Sequence, residues 1–206
     1  MDETTGLRER KKAATRLALH EAALRLAAEQ GLDGLTVEAI ADAANVSRRT
    51  FSNYFSNKEE ALFHGDTTRL RRLVQLVRER PADEPPWTVL SRAAEHFTEE
   101  SFGDPDHSWL TRRRQLRGHP GLAAHQVAAY TAIERELAGE LAHRLTGADV
   151  ALRSRLLAAT FLAILRVAVQ HWIDHPGDDL LETVRTALAE IAPAATATDH
   201  RTAADD

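Results

Sequence analysis

Apolar residues recur at three- and four-residue spacing along nearly the whole chain, and no run of β-branched residues alternates with polar ones. That periodicity gives each segment one apolar stripe and offers nothing to a sheet, so the expected fold class is all-α, with about nine helices. No internal repeat is visible. The first helix is predicted from Leu7 to Gln30, where Leu17, Leu24, Leu26 and many alanines fall at helical spacing, and "GLDGL" stops it near Gly31.

The punctuation that follows is dense. Thr36 can cap a helix over "TVEAIADAA", with Glu38 in its first turn where the helix dipole favours an acid. Asn45 tolerates the left-handed conformation that ends a helix, and Ser47 can cap the short helix after it. Ser56 and Glu59 read as a capping box for a helix from Asn57 to about Glu79, closed by Pro81, Pro85 and Pro86. Further helices are expected over "WTVLSRAAEHFTEESF", over "DHSWLTRRRQLRG" up to Gly118 and Pro120, and from Leu122 to Leu145. Asp149 can cap another from Val150 to Asp174, and the last runs from Asp178 to Ile191. The tail "PAATATDHRTAADD" lacks large apolar residues and reads as disordered.

Composition narrows the partners. The formal net charge is −5, and residues 1 to 60 hold nine Lys or Arg against ten Asp or Glu, so any nucleic-acid binding must come from local clustering. The chain has no cysteine, which removes disulfides and thiolate chemistry and fits a reducing cytoplasm. The start "DETTGLRERKK" has no apolar signal-peptide core, and "LLAATFLAILRVAV" reads as a buried helix, too short and too charged for a membrane span.

Two short helices around a tight turn, from Thr36 to Phe55, match a helix-turn-helix in which Ile40, Ala41, Ala44, Val46 and Phe51 pack. The second helix then exposes Arg48, Arg49, Thr50, Ser52 and Asn53, whose donors and acceptors suit base edges and phosphates in a major groove. Lys58 adds a phosphate-seeking charge. Upstream, Arg8, Arg10, Lys11, Lys12 and Arg16 form a basic arm that can neutralise phosphates. Any short capped helix also exposes polar residues, so spacing alone leaves an ordinary solvated face open.

The string "LTVEAIADAANVSRRTFSNYFSNKEEAL", preceded by a helix with a basic start, closely resembles the N-terminal DNA-binding domain of the TetR family of bacterial transcriptional regulators. The likeness covers about residues 8 to 63, through the T-x-x-x-I-A helix, the V-S turn, the Y-F pair and the K-E-x-x-L start of the next helix. It implies an all-helical, cytoplasmic homodimer that binds a double-stranded DNA operator, responds to a small hydrophobic effector, and needs no cofactor or membrane. The implied layout is a helix-turn-helix domain over 1–56, a ligand-binding and dimerisation domain over 57–192 and a tail over 193–206. Arg48, Arg49, Thr50 and Asn53 would face the groove, and Thr36, Tyr54 and Lys58 would contact phosphates, with Ser47 and the arm residues Arg10, Lys11 and Lys12 alongside. Two positions depart from the family's pattern: Asn45 replaces the usual turn glycine, and Ser52 a common tyrosine.

In the second half, Ala159 and Ala163 permit close helix approach, and with Leu156, Val167, Leu181, Val184 and Leu188 they form the expected dimer surface, ordinary core packing being the alternative. Phe97, Phe102, Trp109, Leu110, Leu116, Tyr130, Phe161, Leu165 and Trp172 are the candidate lining of an apolar pocket, or simply core. "WLTRRRQLRGHPGL", "ELAHRL" and "AILRVAVQHW" resemble the C-terminal domain of a TetR subgroup related to the mycofactocin regulator, some of which sense acyl-coenzyme A. In such a ligand Arg113 and its neighbours Arg112, Arg114 and Arg117 could meet phosphates, although successive helical residues cannot all face one pocket. His171 and His175 stand four apart, but the pattern fixes no third metal ligand. The expected function is a repressor released from a palindromic operator by its effector. The alternatives are a constitutive DNA-binding protein and a small helical enzyme or metal protein. No nucleophile–base pair, phosphate loop or H-E-x-x-H motif supports an enzyme.

Overall fold

The computed structural model describes residues 3–102, 120–175 and 177–200, with side chains for 6–102, 127–175 and 177–192. Among these residues there are eight helices and no strand: α1 Glu3–Gly34, α2 Val37–Ala43, α3 Arg48–Ser52, α4 Lys58–Arg78, α5 Pro86–Phe102, α6 Pro120–Ala142, α7 Val150–Asp174 and α8 Leu180–His200. The helix expected over "DHSWLTRRRQLRG" lies outside the described residues. Packing divides the described residues into two units, 3–68 with 120–127 and 69–102 with 128–175 and 177–200. The division falls inside α4, later than the boundary expected at residue 56, because Ala61 and Leu62 are buried in the core of the first unit.

In the first unit α1 buries Leu19, Ala22, Ala23, Leu26 and Ala27, one stripe at three- and four-residue steps. Leu17, expected on that stripe, is turned outward. Gly31 breaks the helix at φ 76°, a left-handed conformation that costs glycine no Cβ clash. Leu35, Ile40, Ala41, Phe51 and Phe55 complete the core, with the two phenylalanine rings 5.8 Å apart and tilted. A histidine ties α1 to α4: His20 Nδ1 lies 2.8 Å from Ala61 O, and its ring meets that of His64 edge-on at 5.8 Å. Gly65 leaves room for this ring, since a Cβ there would stand 2.6 Å from His20 Nε2.

The cap of α4 differs from the expected one. Asn57 Oδ1 accepts the Glu60 N–H at 2.7 Å, and Glu60 Oε2 accepts the Ser56 N–H at 2.7 Å, so the box is shifted one residue from Ser56 and Glu59. Likewise Asp149, at φ 55°, makes no side-chain cap to α7.

The second unit packs α5, α7 and α8 against one another. Val89, Leu90, Ala93, Ala94 and Phe97 of α5 meet a core that includes Ala158, Phe161, Leu162 and Leu165 of α7 and Leu180, Val184 and Leu188 of α8. Arg144 closes the C-terminal end of α4, donating to the carbonyls of Val77, Arg80 and Pro81 at 3.0, 3.0 and 2.8 Å. Arg72 forks onto Glu100 at 2.9 and 2.8 Å, and Arg80 pairs with Glu84. Hydrogen bonds from these guanidinium groups hold both carboxyls below the usual carboxylate range.

Helix α7 has 25 residues, longer than the apolar run marked from sequence, and by length and composition it could cross a membrane. Here its inward face is occupied by α5 and α8, and Arg155 and Arg166 lie on its exposed side. Helix α8 continues to His200, eight residues into the stretch expected to be disordered.

Candidate nucleic-acid interface

The geometry of the turn follows from local hydrogen bonds. Thr36 Oγ1 accepts the Ala39 N–H at 3.1 Å and starts α2. At its end the N–H groups of Ala44, Asn45 and Val46 bond the carbonyls of Ile40, Asp42 and Ala41, and Asn45 takes φ 55°. Asparagine thus does what the sequence asks of it, at some cost relative to glycine. Ser47 Oγ then accepts the Thr50 N–H at 3.0 Å and caps α3, and it also lies 2.9 Å from Thr50 Oγ1.

With Phe51 and Phe55 turned inward, α3 points Arg48, Arg49, Ser52 and Asn53 into solvent, while Thr50 and Tyr54 are half-buried. The two arginines differ. Arg48 Nε pairs with Glu38 Oε1 of α2 at 3.1 Å, whereas among the described residues the Arg49 guanidinium has no hydrogen-bond or ion-pair partner. An exposed pair of this kind is worth about 0.2–1 kcal/mol, so a phosphate could displace Glu38. The Ser52 hydroxyl donates back to Arg48 O at 3.2 Å, which leaves it an acceptor toward solvent.

Lys58 is less available than its charge suggests. Its Nζ donates to Leu32 O at 3.0 Å and Leu35 O at 2.9 Å, stitching the α1–α2 loop and keeping one N–H for any other acceptor. The side chain of Arg16 lies over the Tyr54 ring at 5.7 Å. Neither this contact nor the Arg48–Glu38 pair is legible in the sequence, because no local spacing links an α1 arginine to α3 or Glu38 to Arg48. The basic arm is helical: Arg8, Arg10, Lys11 and Lys12 lie on α1, all exposed, with Arg10 Nε donating to Gly6 O at 3.3 Å.

In the second unit the structure brings three candidate pocket residues together: Phe97 meets Phe102 edge-on at 5.8 Å, and Phe102 meets Trp172 at 6.2 Å. Phe97, Phe161, Leu165 and Trp172 are buried, and Phe102 and Tyr130 are half-buried. Trp109, Leu110, Arg113 and Leu116 lie outside the described residues. The candidate dimer residues separate into two sets. On α7, Leu156 and Val167 are 57% and 56% exposed, Ala163 is exposed and Ala159 half-buried. On α8, Leu181 is half-buried, but Val184 and Leu188 are 0% and 3% exposed and belong to the core of the single chain. Leu152, 59% exposed one turn before Leu156, extends the outward row.

Residues 19–64 match the family described as bacterial regulatory proteins, tetR family, and residues 84–196 match the MftR C-terminal domain. The transcriptional regulator TcmR of Streptomyces glaucescens is 32% identical over 182 residues, covering 85% of this chain and 80% of the relative. Among solved structures, the TetR-family repressor FadR of Thermus thermophilus in complex with lauroyl-CoA is 26% identical, covers 86% of this chain and 93% of its own, and superposes with a TM-score of 0.53. FadR of Bacillus subtilis in complex with stearoyl-CoA, 21% identical with a TM-score of 0.54 over 87% and 98% of the two chains, shares the fold.

Proposed function

This chain belongs to the tetR family of bacterial regulatory proteins, and on that premise we propose that it is a homodimeric repressor released from a palindromic operator by a hydrophobic effector. Its family and relatives are transcriptional regulators, not enzymes. The observation that carries the DNA-binding reading is the outward face of α3. There a rigid turn and two buried phenylalanines present Arg49 unpaired among the described residues, next to Arg48, Ser52 and Asn53. In this reading Arg49 reads a base edge, Arg48 exchanges Glu38 for a phosphate, and Thr36, Ser47, Thr50, Tyr54 and the last N–H of Lys58 position the backbone. Arg10, Lys11 and Lys12 supply sequence-independent attraction from the helical arm. The protein acts in the cytoplasm, where its operator is.

Dimerisation is assigned to the outward row of α7, Leu152, Leu156, Ala163 and Val167, flanked by Ala159 and Leu181. A symmetric dimer sets two recognition helices about 34–36 Å apart, and an effector that binds better at another spacing draws the population off the operator. For the effector we propose an acyl-coenzyme A. The aromatic set Phe97, Phe102 and Trp172 suits an acyl chain, and the Thermus thermophilus relative is a repressor crystallised with lauroyl-CoA.

Gel shifts of the full-length protein on DNA upstream of its own gene, at two salt concentrations, test the first half. A salt-sensitive complex on a palindrome is expected, and absence of sequence preference at either salt refutes it. Arg49→Ala should cost about 1–3 kcal/mol on that site and far less on random DNA. Lauroyl-CoA should raise the melting temperature and weaken the operator complex. Stabilisation with unchanged operator affinity would leave a DNA-binding protein without induction.

A further inference from the structure

The C-terminal end of α7 and the turn after it carry a cluster that plays no part in DNA or effector binding as proposed above. His171, His175 and Asp178 are all exposed, and their ligand atoms lie within 4.8 Å of one another; among the described residues this is the one such group of three. The two imidazoles are stacked with centroids 4.3 Å apart and an angle of 26° between their planes. The third member is what the sequence spacing alone does not provide. Asp178 lies past the end of the helix and is folded back over it: its own N–H bonds His175 O at 3.1 Å, and the Nε1–H of buried Trp172 bonds Asp178 O at 2.9 Å.

We propose that His171, His175 and Asp178 form a binding site for a divalent transition-metal ion of the zinc class. Two features favour an ion over an exposed histidine–carboxylate pair, although His171 Nε2 does stand 3.5 Å from Asp178 Oδ2. First, His175 Nδ1 lies 2.9 Å from His171 O, so with Nδ1–H as donor its Nε2 keeps its lone pair for a ligand bond. Metal-binding imidazoles are commonly oriented in this way. Second, both the helix and the folded-back Asp178 backbone are fixed by hydrogen bonds, so coordination needs only side-chain rotation. Bonds of about 2.0–2.2 Å to zinc bring neighbouring ligand atoms to roughly 3.3 Å, a contraction that exposed side chains can make. Two imidazole nitrogens and one carboxylate oxygen suit zinc, nickel, cobalt or copper rather than magnesium or calcium, with water completing the coordination.

The test uses untagged full-length protein, stripped with a chelator and titrated with zinc chloride by calorimetry, with cobalt(II) absorption as a second readout. The expected result is one site per chain, weakened about tenfold or more in His171→Ala and in His175→Ala, and less in Asp178→Asn. His143→Ala, which alters an exposed histidine outside the cluster, should leave it unchanged. The conservative pair His171→Gln and His175→Gln, checked for unchanged helicity, separates ligand loss from a folding defect. Zinc binding in the double glutamine variant as tight as in the wild type would overturn the assignment. Equal competition by magnesium would overturn the metal class.

Discussion

The outward faces of α3 in the first unit and α7 in the second are of opposite kinds. In the first, the apolar residues of α2 and α3 turn inward and the outward face of α3 is arginine, serine and asparagine, held by caps only three residues long. In the second, hydrogen bonds and ion pairs such as Arg72–Glu100 and the Arg144 clamp lie at helix ends and flanks, while α7 leaves Leu152, Leu156 and Val167 outward. A polar outward face on a tight core is suited to a hydrated, charged partner; an apolar row is suited to another protein surface. The contrast concerns what each unit leaves unfinished.

The strongest way to break the comparison is Phe51→Ala, which removes a fully buried ring from the first core. A loss of about 3–5 kcal/mol is expected from the first unit, with the helicity of the second retained in a later melting transition. A single lowered transition would mean that the units unfold together. Next, Leu156→Asp combined with Val167→Asp should leave chain stability nearly unchanged, because both positions face outward, yet convert dimer to monomer in sedimentation. A wild-type dimer in that variant would remove the row on α7 as the interface.

A subtler change probes the first unit. Gly65→Ala should destabilise by about 1–2 kcal/mol, because the new methyl displaces His20 from Ala61 O. In a His20→Ala background the same change should stabilise by about 1 kcal/mol, the helix preference of alanine over glycine. Additive effects would show that the ring is not what constrains residue 65. Smallest of all, Glu38→Gln should alter stability by less than about 1 kcal/mol and raise operator affinity a few-fold at low salt by freeing Arg48. Unchanged affinity would mean that the pair does not compete with DNA.

Legibility from sequence followed how local each interaction is. The caps of α2 and α3, the left-handed Asn45 and the inward phenylalanines are decided within a few residues, and periodicity and residue chemistry reveal them. The start of α4 shows the limit: Ser56 with Glu59 and Asn57 with Glu60 are overlapping boxes, and only their realised hydrogen bonds choose between them. Lys58 reads as a free charge because its carbonyl partners lie more than twenty residues upstream. Val184 and Leu188 share an apolar stripe with Leu181, and no one-dimensional pattern says which part of a stripe meets its own chain. Asp178 comes beside two histidines because its own N–H bonds His175 O and a tryptophan holds its carbonyl.

The clamp of Arg144 on Val77, Arg80 and Pro81 has a mechanical side. Helix ends ordinarily fray, and a frayed end absorbs an applied displacement as local bending. By holding the Val77 carbonyl in the last turn and the Arg80 and Pro81 carbonyls just past it, this guanidinium pins the end of α4 against such fraying. Loss of the clamp would free that end to fray while leaving the sequence of the helix unchanged.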